Sequence, residues 1–218
     1  MTIDKDDLLN SILASIARID YVKSADIPNI DLYMDQVTTF MEKALKSTKR
    51  YPNDKILTKT MINNYAKNDL LPPPIKKKYS KEHLMVLTFI YYFKSILSIK
   101  DIETLLAPIT EKYFHTESEL DIARIYDEVC AFEKERTKIL QNDIKAAFDT
   151  SKLTFADADE EDREFLQFFS FICMLSLDVY VKKQIVEKLI DVASETHEAK
   201  QEEHKKENKK DGKKNNRE

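Results

Sequence analysis

The stretch LTKTMINNYAKNDLLPPPIKKKYSKEHL, Leu57–Leu84, sets a short helical pattern, a proline run and a lysine strip in direct succession. Thr58 is placed to cap a helix reaching about Lys67. Pro72-Pro73-Pro74 stops any continuation, because proline lacks the backbone N–H and restricts the residue before it. Ser80 then opens a very apolar helix through Ile96. The charge is as uneven as the pattern. From Lys43 to His83 there are eleven basic residues against the acids Asp54, Asp69 and Glu82, a local charge of +8. The rest of a chain whose net charge is −4 therefore carries −12. A positive island in an acidic protein is the footprint of a surface that binds polyanions.

Composition narrows the fold and the chemistry. The 218 residues suffice for one or two domains with a real core. The single glycine, Gly212, lies near the end of the chain, so there is no glycine-rich phosphate loop, dinucleotide fingerprint or nucleophile elbow. Tight hairpins also lose their preferred residue. The expectation is an all-α protein, with at most a minimal hairpin. Cys130 and Cys173 sit in apolar surroundings and read as buried, reduced thiols of a cytoplasmic protein. The acidic start, MTIDKDDLLN, has no signal-peptide character.

Outward from the quoted stretch, Leu8, Leu9, Ile12, Leu13, Ile16 and Ile19 give an amphipathic helix over Lys5–Asp20, and Tyr21–Asp31 is a connector. Met34, Val37, Phe40, Met41, Ala44 and Leu45 make a second stripe, with Asp35 as its expected N-cap. KSTKRYPNDK, Lys46–Lys55, reads as a basic loop. Ser98 and Asp101 form a capping box before Ile102, Leu105 and Leu106. Past Pro108, Ser118 to about Asp149 reads as one long helix, and Phe165 to about Ala193 as another that is apolar on nearly every side. From Glu195 the Lys/Glu/Asn-rich tail is expected to be disordered. The resulting division is 1–29 as N-terminal helix and connector, 30–108 as a first domain, 109–194 as an all-α region and 195–218 as a charged tail.

From Leu32 to Leu106 the order of these pieces resembles the winged helix-turn-helix domain of MerR-type regulators. It resembles still more an uncharacterised bacterial domain-of-unknown-function family that shares this domain. Met34, Val37 and Phe40 match the first helix. Leu57, Ile62, Tyr65, Leu70 and Leu71 match the recognition helix and its exit, Tyr79-Ser80 the end of the wing, and Ser98 to Leu106 the closing helix. Three departures stand out. The link Lys46–Leu57 is much longer than a tight turn, the wing Pro72–Lys78 is short, and Asp69 replaces the usual glycine. Asn63 also stands where such regulators commonly carry arginine.

The residues expected at DNA follow. Thr58, Lys59, Thr60, Asn63, Asn64 and Lys67 crowd the outward positions of the recognition helix, where Asn can pair bidentately with adenine, Thr can meet a base edge and Lys can neutralise phosphate. Lys76, Lys77 and Lys78 form the wing strip, and the resemblance puts Tyr79 near a phosphate. Lys49 and Arg50 read equally well as a continued phosphate track or as ordinary surface charge. The resemblance implies a transcriptional regulator acting on double-stranded DNA as a homodimer, with a small-molecule or protein effector left open. An adaptor that binds proteins on a winged-helix scaffold is the alternative. No cofactor and no metal are implied: His83, His115, His197 and His204 lack ligand spacing, and the acids from Asp157 to Glu164 lack a calcium loop's glycine. No constellation of nucleophile, base and oxyanion donors suggests an enzyme. Phe165–Val181 is short for a membrane span and reads as buried core, its all-round apolarity pointing to a dimer interface ahead of an effector pocket, and His83 reads as a surface or capping residue.

Overall fold

A computed structural model describes the backbone of residues 5–16 and 22–214. It is almost entirely helical: α1 (Lys5–Ile16), α2 (Met34–Ala44), α3 (Lys59–Lys67), α4 (Lys81–Phe93), α5 (Ile99–Tyr113), α6 (Ile122–Ala131), α7 (Glu133–Ser151) and α8 (Glu160–Lys214). Two short strands, β1 (Leu32–Tyr33) and β2 (Lys78–Tyr79), pair antiparallel with Leu32 opposite Tyr79 and Tyr33 opposite Lys78.

Local chemistry sets most boundaries. Thr58 accepts a hydrogen bond from the Met61 N–H at 3.2 Å and caps α3. The Ser98 hydroxyl accepts from the Asp101 N–H and the Asp101 carboxylate from the Ser98 N–H, closing the expected capping box of α5. At the start of α2, Tyr33 rather than Asp35 is the N-cap, and the Gln36 amide oxygen takes the Tyr33 N–H. Asp35 falls inside the first turn, where the helix dipole favours a carboxylate.

The main core gathers side chains from Val22 to Tyr126 around α4, together with Ile190 of α8. Eight consecutive residues of α4, His83 to Ile90, are buried, because α2, β2 and α6 pack around it. Ile122 and Tyr126 of α6 are fully enclosed there too. The core therefore continues past Pro108, and α5 runs through that proline to Tyr113. A second, smaller core joins Leu9 and Leu13 of α1 to Ile144 and Phe148 of α7 and Phe171 of α8.

Three features differ from the sequence expectation. The long helix read from Ser118 to Asp149 is broken at Phe132 into α6 and α7. Cys130 is half-buried and Cys173 exposed, so Cys173 is no core thiol. The helical backbone of α8 continues to Lys214, through most of the segment read as a disordered tail; lysine and glutamate are good helix formers with little side-chain entropy to lose. Residues 17–20 of the first expected helix and 215–218 of the tail lie outside the described residues. Within α8, Glu160–Thr196 is long and apolar enough to cross a membrane by length and composition alone, yet little of it is buried.

Candidate nucleic-acid interface

α3 is amphipathic in the strict sense. Ile62 and Tyr65 are buried, while Lys59, Thr60, Asn63, Asn64 and Lys67 are exposed. At 100° per residue those five span an arc of about 140°, so the sequence-predicted residues do share one face. One of them, Lys59, and the N-cap Thr58 are already engaged within the fold. Lys59 pairs with Asp35 of α2, an exposed ion pair of small energetic weight. The half-buried Thr58 spends its hydroxyl oxygen on the cap.

The helix stops in a Schellman-type turn. Asp69 takes φ 57°, and the Leu70 N–H reaches back to the Tyr65 carbonyl at 2.9 Å. A carboxylate side chain tolerates this left-handed position where glycine is more usual. Buried Leu70 and Leu71 anchor the exit, and Pro72–Pro74 lead into a hairpin.

The hairpin is a minimal one. Ile75 and Lys78 exchange both backbone hydrogen bonds, at 3.1 and 2.9 Å, and enclose only Lys76 and Lys77. Both enclosed residues have positive φ, 50° and 63°, the signature of a type I′ turn. Such turns prefer Asn-Gly, and a left-handed lysine costs on the order of 1 kcal/mol. The tip therefore holds two exposed lysines in a disfavoured conformation. Lys78 lies over the exposed ring of Tyr33, 5.3 Å from its centroid.

Tyr79 has to be withdrawn from the surface list. It is only 3% exposed, and burial pushes its phenol upward in pKa. Its ring meets His83 edge-on at 5.4 Å. The inward position follows from strand alternation, because Lys78 takes the outward one. His83 is likewise not a surface residue, at 1% exposure. Its Nδ1 accepts the Ser80 N–H at 2.9 Å, so the capping half of the expectation stands. Burial lowers its pKa to about 4, helped by His115, while the Pro73 and Pro72 carbonyls oppose the shift.

The segment between α2 and α3 resolves the ambiguity at Lys49. Its side chain is largely covered and pairs with Glu42, whereas exposed Arg50 lies over Tyr51. Reading the sequence missed the role of Tyr33 and the grouping of Lys43, Lys46 and Lys55 along one cleft. The only signal for the latter was the basic character of Lys46–Lys55.

Residues 22–129 match the model of a family described as a domain of unknown function, DUF1836. The matched span takes in every buried residue of the main core except Ile190 of α8, from Val22 to the last turn of α6. No curated protein and no solved structure matches the chain significantly.

Proposed function

We propose that this protein binds double-stranded DNA in a sequence-specific manner and regulates transcription from the cytoplasm of a bacterium. In this reading α2 and α3 form a MerR-like helix-turn-helix, and the Ile75–Lys78 hairpin, which runs into β2 against β1, is its wing. The observation that carries it is the polar arc of α3 joined through Pro72–Pro74 to a lysine-tipped hairpin, all within the +8 window. Asn63, Asn64 and Thr60 read base edges, and Lys67, Lys76, Lys77 and Lys78 hold phosphates.

We infer further that it works as a homodimer built on α8. Phe165, Phe169, Ile172, Val179 and Tyr180 are 45 to 68% exposed and lie within about 100° of one another around the helix. Val129 and Phe132, at the end of α6, add further exposed apolar surface. A contiguous apolar patch beyond about 300–600 Å² is unusual on a monomer. A bilayer is the other occupant that length and composition allow.

Titration of random duplex against salt tests the first claim. About five phosphate contacts give a log–log slope near −4 to −5 for one bound domain. Lys76, Lys77 and Lys78 changed together to Ala should flatten that slope; a slope as steep as wild type removes the wing from the interface. Recovery of DNA crosslinked to the tagged protein should yield two-fold symmetric sites with half-sites about 34–36 Å apart, or a multiple of that. Absence of discrete peaks would favour the adaptor alternative. For the dimer, sedimentation of Phe165→Ser/Phe169→Ser should show dissociation that wild type resists, and a monomeric wild type at high concentration would end the claim.

A further inference from the structure

The segment between α2 and α3, residues 45–58, is far longer than the turn of a tight helix-turn-helix, and the reading above gives it no task. It is nonetheless a built element. A 3-10 turn at Lys46–Thr48 follows α2, and the Thr48 hydroxyl donates to the Leu45 carbonyl at 2.7 Å and bonds the Tyr91 hydroxyl. Residues 51–54 close a turn through the Asp54 N–H to the Tyr51 carbonyl, 3.0 Å, and the Tyr51 N–H to the Asp54 carboxylate, 2.9 Å. Ile56 and Leu57 then enter the main core, and Lys94 donates to the Ile56 carbonyl at 2.8 Å. A long connection held at this many points is a shaped surface.

Between this segment and α2 runs an open cleft that ends at Thr58, the N-cap of α3. Four lysines and two carboxylates line it. Both carboxylates are occupied within the fold: Glu42 pairs with Lys49, and Asp54 accepts the Tyr51 N–H. Lys43, Lys46 and Lys55 are exposed, and among the described residues no ion pair engages them. With four lysines against two carboxylates the cleft keeps a net charge of 4 − 2 = +2, leading to the start of α3. Being open along its length, it suits the phosphate of a polymer backbone better than an enclosed small molecule.

We propose that this cleft holds a short run of DNA backbone phosphates at the N-terminal edge of α3 through Lys43, Lys46 and Lys55. α3 is then bracketed by two phosphate-holding elements, the link before it and the wing after it. The long link, a departure from a tight helix-turn-helix, compensates for the clipped wing. This inference rests on the DNA reading above.

The test titrates full-length protein with a random-sequence duplex over a range of salt. Changing Lys43, Lys46 and Lys55 together to Ala should lower the log–log slope by about 2 to 3 and weaken binding roughly 10- to 100-fold. The matching triple Arg variant keeps the charge and should bind as wild type does. Lys138→Ala/Lys145→Ala, exposed on α7, is the charge control and should leave the slope unchanged. If the wing triple variant loses affinity while the link triple variant keeps wild-type slope and affinity, this inference is overturned and the DNA reading stands. If the charge control weakens binding as much as the link variant does, the cleft has no special part and the inference is again overturned. If wild type binds no duplex, the DNA reading itself fails and takes the cleft with it.

Discussion

α4 and the first half of α8 are written in nearly the same alphabet and meet opposite fates. In α4, His83 to Ile90 are all buried; in α8, Phe171 alone is buried between Phe165 and Val181. α4 has neighbours on every side, in α2, α6 and β2, whereas α8 rests on α7 and α5 and turns its remaining arc outward. All-round apolarity therefore reports how much partner surface a helix needs, and says nothing of where that surface comes from. For α4 this chain supplies it. For α8, large side chains are left in water at a cost of about 25 cal/mol per Å², which the homodimer proposed above would relieve.

The largest expected effect separates the two helices directly. Leu87 of α4 is fully buried, and Leu87→Ala should cost about 2–5 kcal/mol in chemical denaturation, from lost transfer energy and the cavity left behind. Leu177 of α8 is 62% exposed, and the same truncation at low protein concentration should stay within about 0.5 kcal/mol. Equal costs at the two sites would mean that α8 is buried in the monomer, and the contrast would collapse.

Next comes the one ionisable member of the α4 run. Folded His83 takes its proton only near pH 4, against about 6.5 when unfolded. Between these values the unfolded chain binds more protons. The His83 contribution to stability is thus complete above about pH 6.5 and is lost as the pH falls toward 4, by up to about 3 kcal/mol. His83→Gln keeps an acceptor at the capping-box position, so its stability should lose this part of the pH slope. A variant that retains the full wild-type slope would show that other groups carry the acid sensitivity.

Much of this was legible because its causes are local. Thr58 before an apolar-periodic run, Ser98 three residues before Asp101, and prolines after Leu71 each act within one turn, and each appears where its chemistry requires. What the sequence hid depends on distant partners or on two competing uses of one residue. The break at Phe132 leaves the backbone helical on both sides, with φ −75° and ψ −12° at the junction, so no glycine or proline marks it. Pro108 reads as a stop but sits within α5, held by packing of Leu106 in the main core. Tyr79 looks like a surface contact until strand pairing with Leu32 turns it inward. The Lys76-Lys77 turn defies the Asn-Gly rule, so nothing short of the fold shows it. The exposed arc of α3 is the part of the site read most directly, because helical periodicity alone assembles it.

Removing that arc's amides has a smaller effect, and one confined to specificity. Asn63→Ala and Asn64→Ala delete no charge and touch exposed positions, so folding should be unaffected. Discrimination between a selected site and random duplex should drop by roughly 1–3 kcal/mol for a lost base contact, with the salt slope intact. Unchanged specificity in both variants would make α3 a solvent face, as outward-looking as α8 but polar.

The smallest effect is the one in which stability and binding should move in opposite directions. Lys76 and Lys77 occupy the two left-handed positions of the type I′ turn, where Asn followed by Gly fits best. Replacing them, as Lys76→Asn/Lys77→Gly, relieves a backbone cost and should stabilise the fold by about 1 kcal/mol. For a chain of this size that raises Tm by roughly 2–4 °C. The same change removes two charges from the tip of the hairpin, so under the proposed DNA reading the log–log salt slope should fall by about 2 and affinity with it. A strained turn persists where the strained residues perform a task, and these two readouts ask whether that task is DNA. A protein that melts higher yet binds duplex as tightly as before would free the lysines of any part in the interface. A protein that melts lower would show that the turn was no strain at all, and that its lysines are held by contacts within the fold.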